Sequence, residues 1–444
     1  MTRYVSLLGL GFGDCGKGLF TDHLCRTEGA HTVVRFNGGA QAGHNVVLPD
    51  GRHHTFSQFG ASSFVPGVET LLASPVIVHP SGLLAEHAAL CRAGVTDGLE
   101  RLHIDARCRV TTPFHQAAGR LREWARGAQA HGSCGVGVGE TVRHALEAPD
   151  EVLRYGDLTD PRTALDKLAA IRRRLQREFA DRAPFHADGS HDAEAERERA
   201  LLDSPEVAQR WLAMSRTCIE RVPAIGLDAV ADRLARPGCV VFEGAQGVLL
   251  DETYGFHPHT TWSTISTDAV EAVLRDAGIG AQVRHLGVLR SHLTRHGAGP
   301  LPTHDAALDV LAEPHNGDAG WQGRFRRGHP DALLLRYALR AAGRLDGLLV
   351  SHLDAIDKAG GLRWCDGYDI DGEAGTVSDL PWLDAPGIAE QAALTCRVAR
   401  AVPRYDAVPI RTTADWLERT AAVTQLPVLL GSSGPTSADV RAMC

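Results

Sequence analysis

The sequence predicts an α/β fold: a large, mostly parallel central sheet flanked by helices, with small helical and loop subregions. Three observations carry this. Short apolar runs recur along the chain and end in Gly, Ser or Asp. The first of them passes through a glycine-rich loop into a helical pattern, the opening of an α/β nucleotide-binding unit with a P-loop-like site. A stretch from about 160 to 221 is rich in Arg, Glu and Ala with little β-branching, and forms a helical subregion. The chain has 444 residues, 44% of them hydrophobic, enough apolar mass for a large core. A rule of about 150 residues per domain would divide it in three. No linker justifies a cut, so one domain over 1–444 is expected.

Tyr4-Val5-Ser6-Leu7-Leu8 reads as a buried strand, and Leu19, Phe20, Leu24 and Cys25 give helical spacing over Lys17 to Arg26. Thr32 to Phe36 is a second strand, ending at Asn37-Gly38-Gly39. Leu71-Leu72 with Val76-Ile77-Val78 reads as a third, and Leu83 to Cys91 as the helix behind it. Helices between 160 and 221 are expected to break near Pro184 and at Asp188-Gly189-Ser190. Their charges read as a solvated face. Cys239 to Phe242, Leu345 to His352 and Val428 to Leu430 supply further strands. Ligands of open parallel sheets gather at the carboxyl ends of strands, so the loops there converge on one cleft.

Composition excludes several classes. A formal net charge of -8 argues against nucleic acid as the main partner. No run of 18 apolar residues predicts a membrane span, and the apolar stretch near the N-terminus is too short for a signal peptide. Ten cysteines without CxxC spacing point to reduced thiols in the cytoplasm. His53-His54 and His257/His259 lack a third ligand at a zinc spacing.

Five loops carry the chemistry. Gly11-Phe12-Gly13-Asp14-Cys15-Gly16-Lys17-Gly18 lets backbone N–H groups approach phosphate, with Lys17 as a point charge. It is not a Walker A loop, which needs four residues before its Gly-Lys pair and a Ser or Thr after it. A carboxylate among phosphates repels them unless it binds a cation or takes a proton; alternatively, Asp14 caps the helix. Asn37 to Asn45 places His44 after small residues, either as a functional group or as a surface histidine. Gly244-Ala245-Gln246-Gly247 leads to Leu249-Leu250-Asp251. In Ser351-His352-Leu353-Asp354, Asp354 follows a strand, as the guanine-reading Asp of GTPases does. A carboxylate there accepts from guanine N1–H and the 2-amino group, a pair that adenine does not offer. Gly431-Ser432-Ser433-Gly434-Pro435 can lie over a base.

Together these loops resemble the adenylosuccinate synthetase family. Phe12 to Gly18 is similar to its Trp-Gly-Asp-Glu-Gly-Lys-Gly, and Gly38 to His44 to its Gly-Gly-x-Asn-Ala-Gly-His. Phe242 to Asp251 carries its Phe-Glu-Gly-Ala-Gln-Gly-x-Leu-Leu-Asp intact. Thr294 to Pro300 matches Thr-Arg-Val-Gly-Ala-Gly-Pro, Ser351 to Asp354 matches Thr-Lys-Leu-Asp, and Ser432 to Pro435 the Ser-Thr-Gly-Pro end. The matches run in order from residue 9 to residue 435.

The resemblance implies a ligase forming a C–N bond. GTP phosphorylates the 6-oxo group of IMP, and the amine of aspartate displaces the phosphate. Asp14 would be the base that removes the N1 proton, with Mg²⁺ held by Asp14 and the Gly43 carbonyl. His44 would act on the γ-phosphate and Gln246 would hold the purine edge. These roles are positioning and charge neutralisation. GTP contacts would come from Gly13, Cys15, Gly16, Lys17, Gly18, His44, Asn45, Arg326, His352, Asp354, Ser432, Ser433 and Gly434. The acceptor would meet Asp14, Lys17, Gln41, His44, Cys134, Gln246, Thr261 and Arg324. The amino acid would meet Trp321, Gln322, Gly323 and Arg324. The resemblance also implies a homodimer.

The departures cluster at the non-GTP substrates. The family's Gly-Ala-Thr-Thr-Gly-Arg-x-Arg-Arg becomes Gly320-Trp321-Gln322-Gly323-Arg324-Phe325-Arg326-Arg327, which keeps the glycine–arginine part and loses both threonines. The family Asn before Ala-Gly-His is Gln41. The phosphate loop Gly-Thr-Thr-Gly-Arg-Gly-Ile-Gly-Pro becomes Gly132 to Glu140, with Cys134, a much weaker donor, in place of a hydroxyl. No Arg stands in register for the one the family sends across its dimer to this phosphate; Arg143 lies too early. His352 replaces the family Lys and Cys15 a Glu. The pattern fits a specialised paralogue with another acceptor or amino acid, against drift within a purine-pathway enzyme. A GTP-binding regulator without turnover is the alternative of a different class.

Overall fold

The computed structural model describes residues 1–180, 192–317 and 323–443. A ten-stranded sheet spans the chain, in the order Val440–Ala442, Val428–Ser432, Gly347–Ser351, Val283–Arg290, Thr2–Gly9, Gly238–Glu243, Ala30–Arg35, Glu69–Leu72, Leu102–Asp105, Ala224–Ile225. Every neighbouring pair is parallel except Val428–Ser432 with Val440–Ala442.

The central Thr2–Gly9 strand is buried from Tyr4 onward, as expected of a parallel strand covered on both faces. Its side chains alternate between two layers. Tyr4 and Leu8 join Phe36, Phe242 and Phe256 in the larger core. Val5 and Leu7 join Leu19, Phe20 and Leu24 of helix α1, Lys17–Thr27. A third cluster packs helices α2 (Pro80–Arg92) and α3 (Pro113–Arg126) with the helical subregion. Helix α4, Val138–Glu147, lies beside α3.

The helical subregion comprises α5 (Pro161–Phe179), α6 (Ala193–Asp203) and α7 (Glu206–Arg221). Asp160 caps α5 by accepting from the amides of Arg162 and Thr163. Ala164, Leu168, Ile171, Leu175 and Phe179 recur at helical spacing and are buried. Each large one is worth roughly 1.5–3 kcal/mol against exposure. The breaks expected near Pro184 and at 188–190 fall outside the described residues.

Two expectations are corrected. The run from Leu71 to Val78 is two strands: Glu69–Leu72 in the main sheet and Ile77–Val78, which pairs with Arg109–Val110. Pro75, with no N–H to donate, separates them. His44 does not sit in a loop; it opens the strand His44–Val47, paired antiparallel with His53–Phe56. No helix of the described residues is long and apolar enough to cross a membrane.

Candidate active site

The parallel strands all deliver their carboxyl ends to one edge, where a cleft of ≈ 1040 Å³ opens. Gly16 precedes α1 in a left-handed conformation, φ 92°, which glycine adopts without penalty. No side chain caps α1, so Asp14 is not its cap. The free amides of the first turn face the loop. Lys17 is buried and folds back across the loop, its ammonium donating to the carbonyls of Gly13 (3.0 Å) and Gln246 (2.6 Å). The first and third loops are in contact: a Cβ on Gly247 would lie 2.2 Å from the Gly11 carbonyl oxygen. Gln246 takes a positive φ of 57°, uncommon outside glycine.

Asp14 lines the cleft with its carboxylate 3.4 Å from His296 Nε2. Burial pushes the Asp14 carboxyl up, but the His296 hydrogen bond and the charges of Arg290, His296 and Lys17 outweigh it, leaving it below the ordinary carboxylate value. Burial opposes protonation of His296, yet Asp14 and Asn316 raise its pKa on balance. The two form an ion pair at the mouth of the phosphate loop.

His44 is buried, not a surface residue, and donates from Nδ1 to Glu243 Oε1 at 2.6 Å. Glu243 is fully buried at the end of the strand beside Thr2–Gly9, and its other oxygen accepts from the Ala61 amide at 3.0 Å. Arg35 lies 4.0 Å away. Burial pushes the Glu243 carboxyl up, but the His44 imidazole that donates to it and the Arg35 charge bring it below normal. Burial brings His44 down to about 4, so the imidazole is neutral, held with Nδ1–H on Glu243 and Nε2 free for the cleft.

The remaining strand ends lie on the far side of α1's start. Ser351 Oγ donates to the Cys15 carbonyl at 2.9 Å, and the Leu353 amide to the Ser432 carbonyl at 2.9 Å. Asp354 and the 432–434 loop are thereby adjacent, and beside the phosphate loop. Asp354 accepts from Lys358 at 2.6 Å. His352, at φ 59°, accepts from Arg290 on Nε2 at 2.9 Å. Burial and the Arg290 charge hold its imidazole neutral, so the family's cation at this position is lost in charge as well as in name.

Asp14, Lys17, Gln41, Gly43, His44, Asn45, Cys134, Gln246, Thr261 and Gly323 all line the cleft. The side-chain amides of Gln41 and Gln246 are buried without a partner among the described residues. Arg324 does not line it; its guanidinium lies out on the surface with Asp309 at 3.0 Å. Arg326 donates to the carbonyls of Gly297 (2.6 Å) and Gly299 (2.8 Å). Trp321 and Gln322 lie outside the described residues.

The sequence reading passed over several cleft residues. His296 stands where the family motif has Val, and that replacement was the available signal. Glu243 lies within the intact Phe242–Asp251 stretch. Three arginines, Arg122, Arg126 and Arg143, also line the cleft at its acceptor end. Each is paired: Arg122 with Glu140 and Glu178, Arg126 with Glu123, Arg143 with Glu140, Glu147 and Glu178.

A phosphate loop opening onto a second ligand space is the layout of a nucleotide-dependent ligase, which needs one site for the energy donor and one for what is joined. The chain belongs to the adenylosuccinate synthetase family, whose sequence profile matches residues 6–440, and it is a GTP-dependent ligase of that C–N bond-forming type. The adenylosuccinate synthetase of Neisseria gonorrhoeae (strain ATCC 700825 / FA 1090) is 31% identical over 98% of this chain and 97% of its own. That of Thioalkalivibrio sulfidiphilus (strain HL-EbGR7) is 32% identical over 96% and 91%. Among solved structures, fully ligated adenylosuccinate synthetase from Plasmodium falciparum superposes with TM-score 0.77 at 18% identity, covering 100% of both chains. Cyanophage S-2L succinoaminodeoxyadenylate synthetase, bound to dGMP and to dATP as an energy donor, gives 0.61 at 16%, covering 100% of this chain and 96% of the other. At those identities the two structures speak for the fold.

Proposed function

We propose that this protein uses GTP to activate the 6-oxo group of a purine-type acceptor and replaces it with the amine of aspartate or a related amino acid. The observation that carries the reading is Asp14: a carboxylate inside the phosphate loop, facing the cleft, not capping α1. As the acceptor O6 attacks the γ-phosphorus, the N1 proton passes to Asp14. The O6–P bond forms, the bond to the β–γ bridging oxygen breaks, and GDP leaves. The amine then attacks C6, the C6–O bond breaks, and phosphate departs with the amine losing a proton. His44, held by Glu243, presents Nε2 to the γ-phosphate. Lys17 and the α1 amides draw the phosphates into register, and Gln246 offers both a donor and an acceptor to the lactam edge.

Asp14 and the Gly43 carbonyl are hard oxygen donors at the phosphate end of the cleft, and they fit Mg²⁺, which takes one or two carboxylates together with substrate phosphates. Bound there, the ion would neutralise phosphate charge. Asp354, beside the 432–434 loop, supports guanine over adenine. Family membership supports a homodimer in the cytoplasm.

The test is mass spectrometry of products from GTP, Mg²⁺ and a matrix of amino acids and purine nucleosides or nucleotides, with Asp14→Asn alongside. Loss of a positioned base costs about 10²-fold or more, while binding of a non-hydrolysable GTP analogue should persist. Asp14→Asn retaining more than about a tenth of turnover would remove Asp14 from the base role. Absence of any coupled phosphate release would leave a GTP-binding regulator.

A further inference from the structure

We propose that the acceptor is a purine nucleoside without a 5′-phosphate, because the chain's own carboxylate occupies the anion position of the loop that would hold one. The proposal rests on the ligase reading and names its acceptor class.

The loop concerned is 132–135, between α3 and α4, on the cleft wall. Glu123, in the last turn of α3, is buried and on the cleft. Its Oε2 accepts from the amides of Gly132 at 2.9 Å and Ser133 at 3.1 Å. Two successive backbone N–H groups converging on one oxygen form an anion-binding nest; here the anion is internal. Arg120, one turn earlier on α3, holds the other end of the loop through Nε to the Gly135 carbonyl at 3.0 Å, and is itself paired with Glu198 at 2.6 Å. Ser133 Oγ accepts from the Gly135 amide at 3.3 Å, which takes that third loop amide as well. The loop is therefore pinned from the helix behind it in a form that offers these amides to no ligand.

The surrounding charge points the same way. A phosphate monoester carries about -1.5 to -2 charges at neutral pH, and needs cations or well-placed donors once it leaves water. The three arginines on this wall are all committed to Glu123, Glu140, Glu147 and Glu178. Burial keeps the Cys134 thiol protonated. Facing the loop, His131, His257 and His259 are driven toward the neutral form by burial. Trp262 lies over Gly139, where a Cβ would be 3.4 Å from its ring. This wall therefore has guanidinium charge already met by its own carboxylates, aromatic surface and neutral imidazoles. On this side of the cleft the Gln41 side-chain amide is without a partner among the described residues, a donor and an acceptor suited to a hydroxyl such as that of a ribose.

The experiment is isothermal titration of the full chain, with Mg²⁺ and a non-hydrolysable GTP analogue, against inosine and against IMP. Inosine should bind at least about ten-fold more tightly than IMP, the effect of one missing charge-assisted contact. Glu123→Gln, which removes the internal charge and keeps an oxygen for the loop amides, should raise the IMP-to-inosine affinity ratio at least about ten-fold. IMP binding as tightly as inosine to the unaltered protein overturns the proposal, as does failure of inosine to bind. The comparison on the unaltered protein decides the matter even if the variant does not fold. A failure of the ligase reading shows differently, as absence of phosphate release with every acceptor whatever this binding ratio is.

Discussion

Replacing Glu243 by Gln isolates the group that stands behind His44. The substitution preserves shape and leaves an amide oxygen for the Ala61 amide, but removes a fully buried charge. That charge accepts from His44 Nδ1 at 2.6 Å and faces Arg35 at 4.0 Å. When the γ-phosphate arrives at Nε2, the imidazole is asked to carry positive charge between two anions, and without Glu243 one of them is gone. A hydrogen bond to a charged group is worth about 1.5–3 kcal/mol, so kcat should fall roughly ten- to 150-fold. Affinity for a GTP analogue should change far less, because Lys17 and the α1 amides are untouched. The same change strands Arg35, whose side chain is only 3% exposed and whose other contact is the Phe59 carbonyl. Breaking a buried pair from one side costs about 3–5 kcal/mol, so the melting temperature should drop as well. Phosphate release under saturating substrates and a thermal melt read the two effects separately. A kcat within about three-fold of the parent, below the smallest loss expected from this bond, would show that Glu243 neither orients nor charges His44.

Asp354→Asn should erode the preference for GTP over ATP and admit xanthosine triphosphate, whose 2-oxo group accepts from an amide; equal use of ATP and GTP by the unaltered protein would remove Asp354 as the guanine reader. Asp331 caps the Ala332–Ala342 helix and accepts from Tyr368 at 2.5 Å, yet burial pushes its carboxyl up to about 6. Its folded pKa exceeds the unfolded value of about 3.9, so its favourable contribution is present below about pH 4 and is lost as pH rises through about 6, roughly 3 kcal/mol in all. Asp331→Asn should therefore gain stability relative to the parent between pH 4.5 and 7.5 in denaturant titrations; a difference that does not change with pH refutes this.

The fold was legible because parallel strands buried on both faces leave nearly unbroken apolar runs, as Tyr4 to Leu8 and Cys239 to Phe242 do. The helices between 160 and 221 were legible from composition, Arg, Glu and Ala with little β-branching, and the fold adds the buried stripe of Leu168, Ile171 and Leu175 on α5. The Leu71–Val78 run misled because periodicity cannot tell one strand from two when the interruption is a single proline. His44 was placed in a loop because its glycine-rich approach is local, whereas the partner that makes it a strand, His53–Phe56, is set by tertiary pairing.

At the site, residues that act through backbone proximity to phosphate announce themselves, since glycines and a lysine at fixed spacing have few other reasons to coincide. Groups that act through a partner do not. Glu243 becomes functional only when the sheet register sets it beside Arg35 and within reach of a histidine 199 positions away. Glu123 reads as one charge among many on an amphipathic helix until the following loop folds back onto it. The same holds for the arginines: their number in the sequence says nothing about a phosphate site, because what a ligand meets is the charge left after neighbouring carboxylates have taken their share. At the acceptor end of this cleft Arg122 and Arg143 converge on Glu140 and Glu178. The wall can therefore be rich in guanidinium groups and still offer a dianion little, and under the nucleoside proposal substrate choice would follow from that pairing rather than from the loop motif alone.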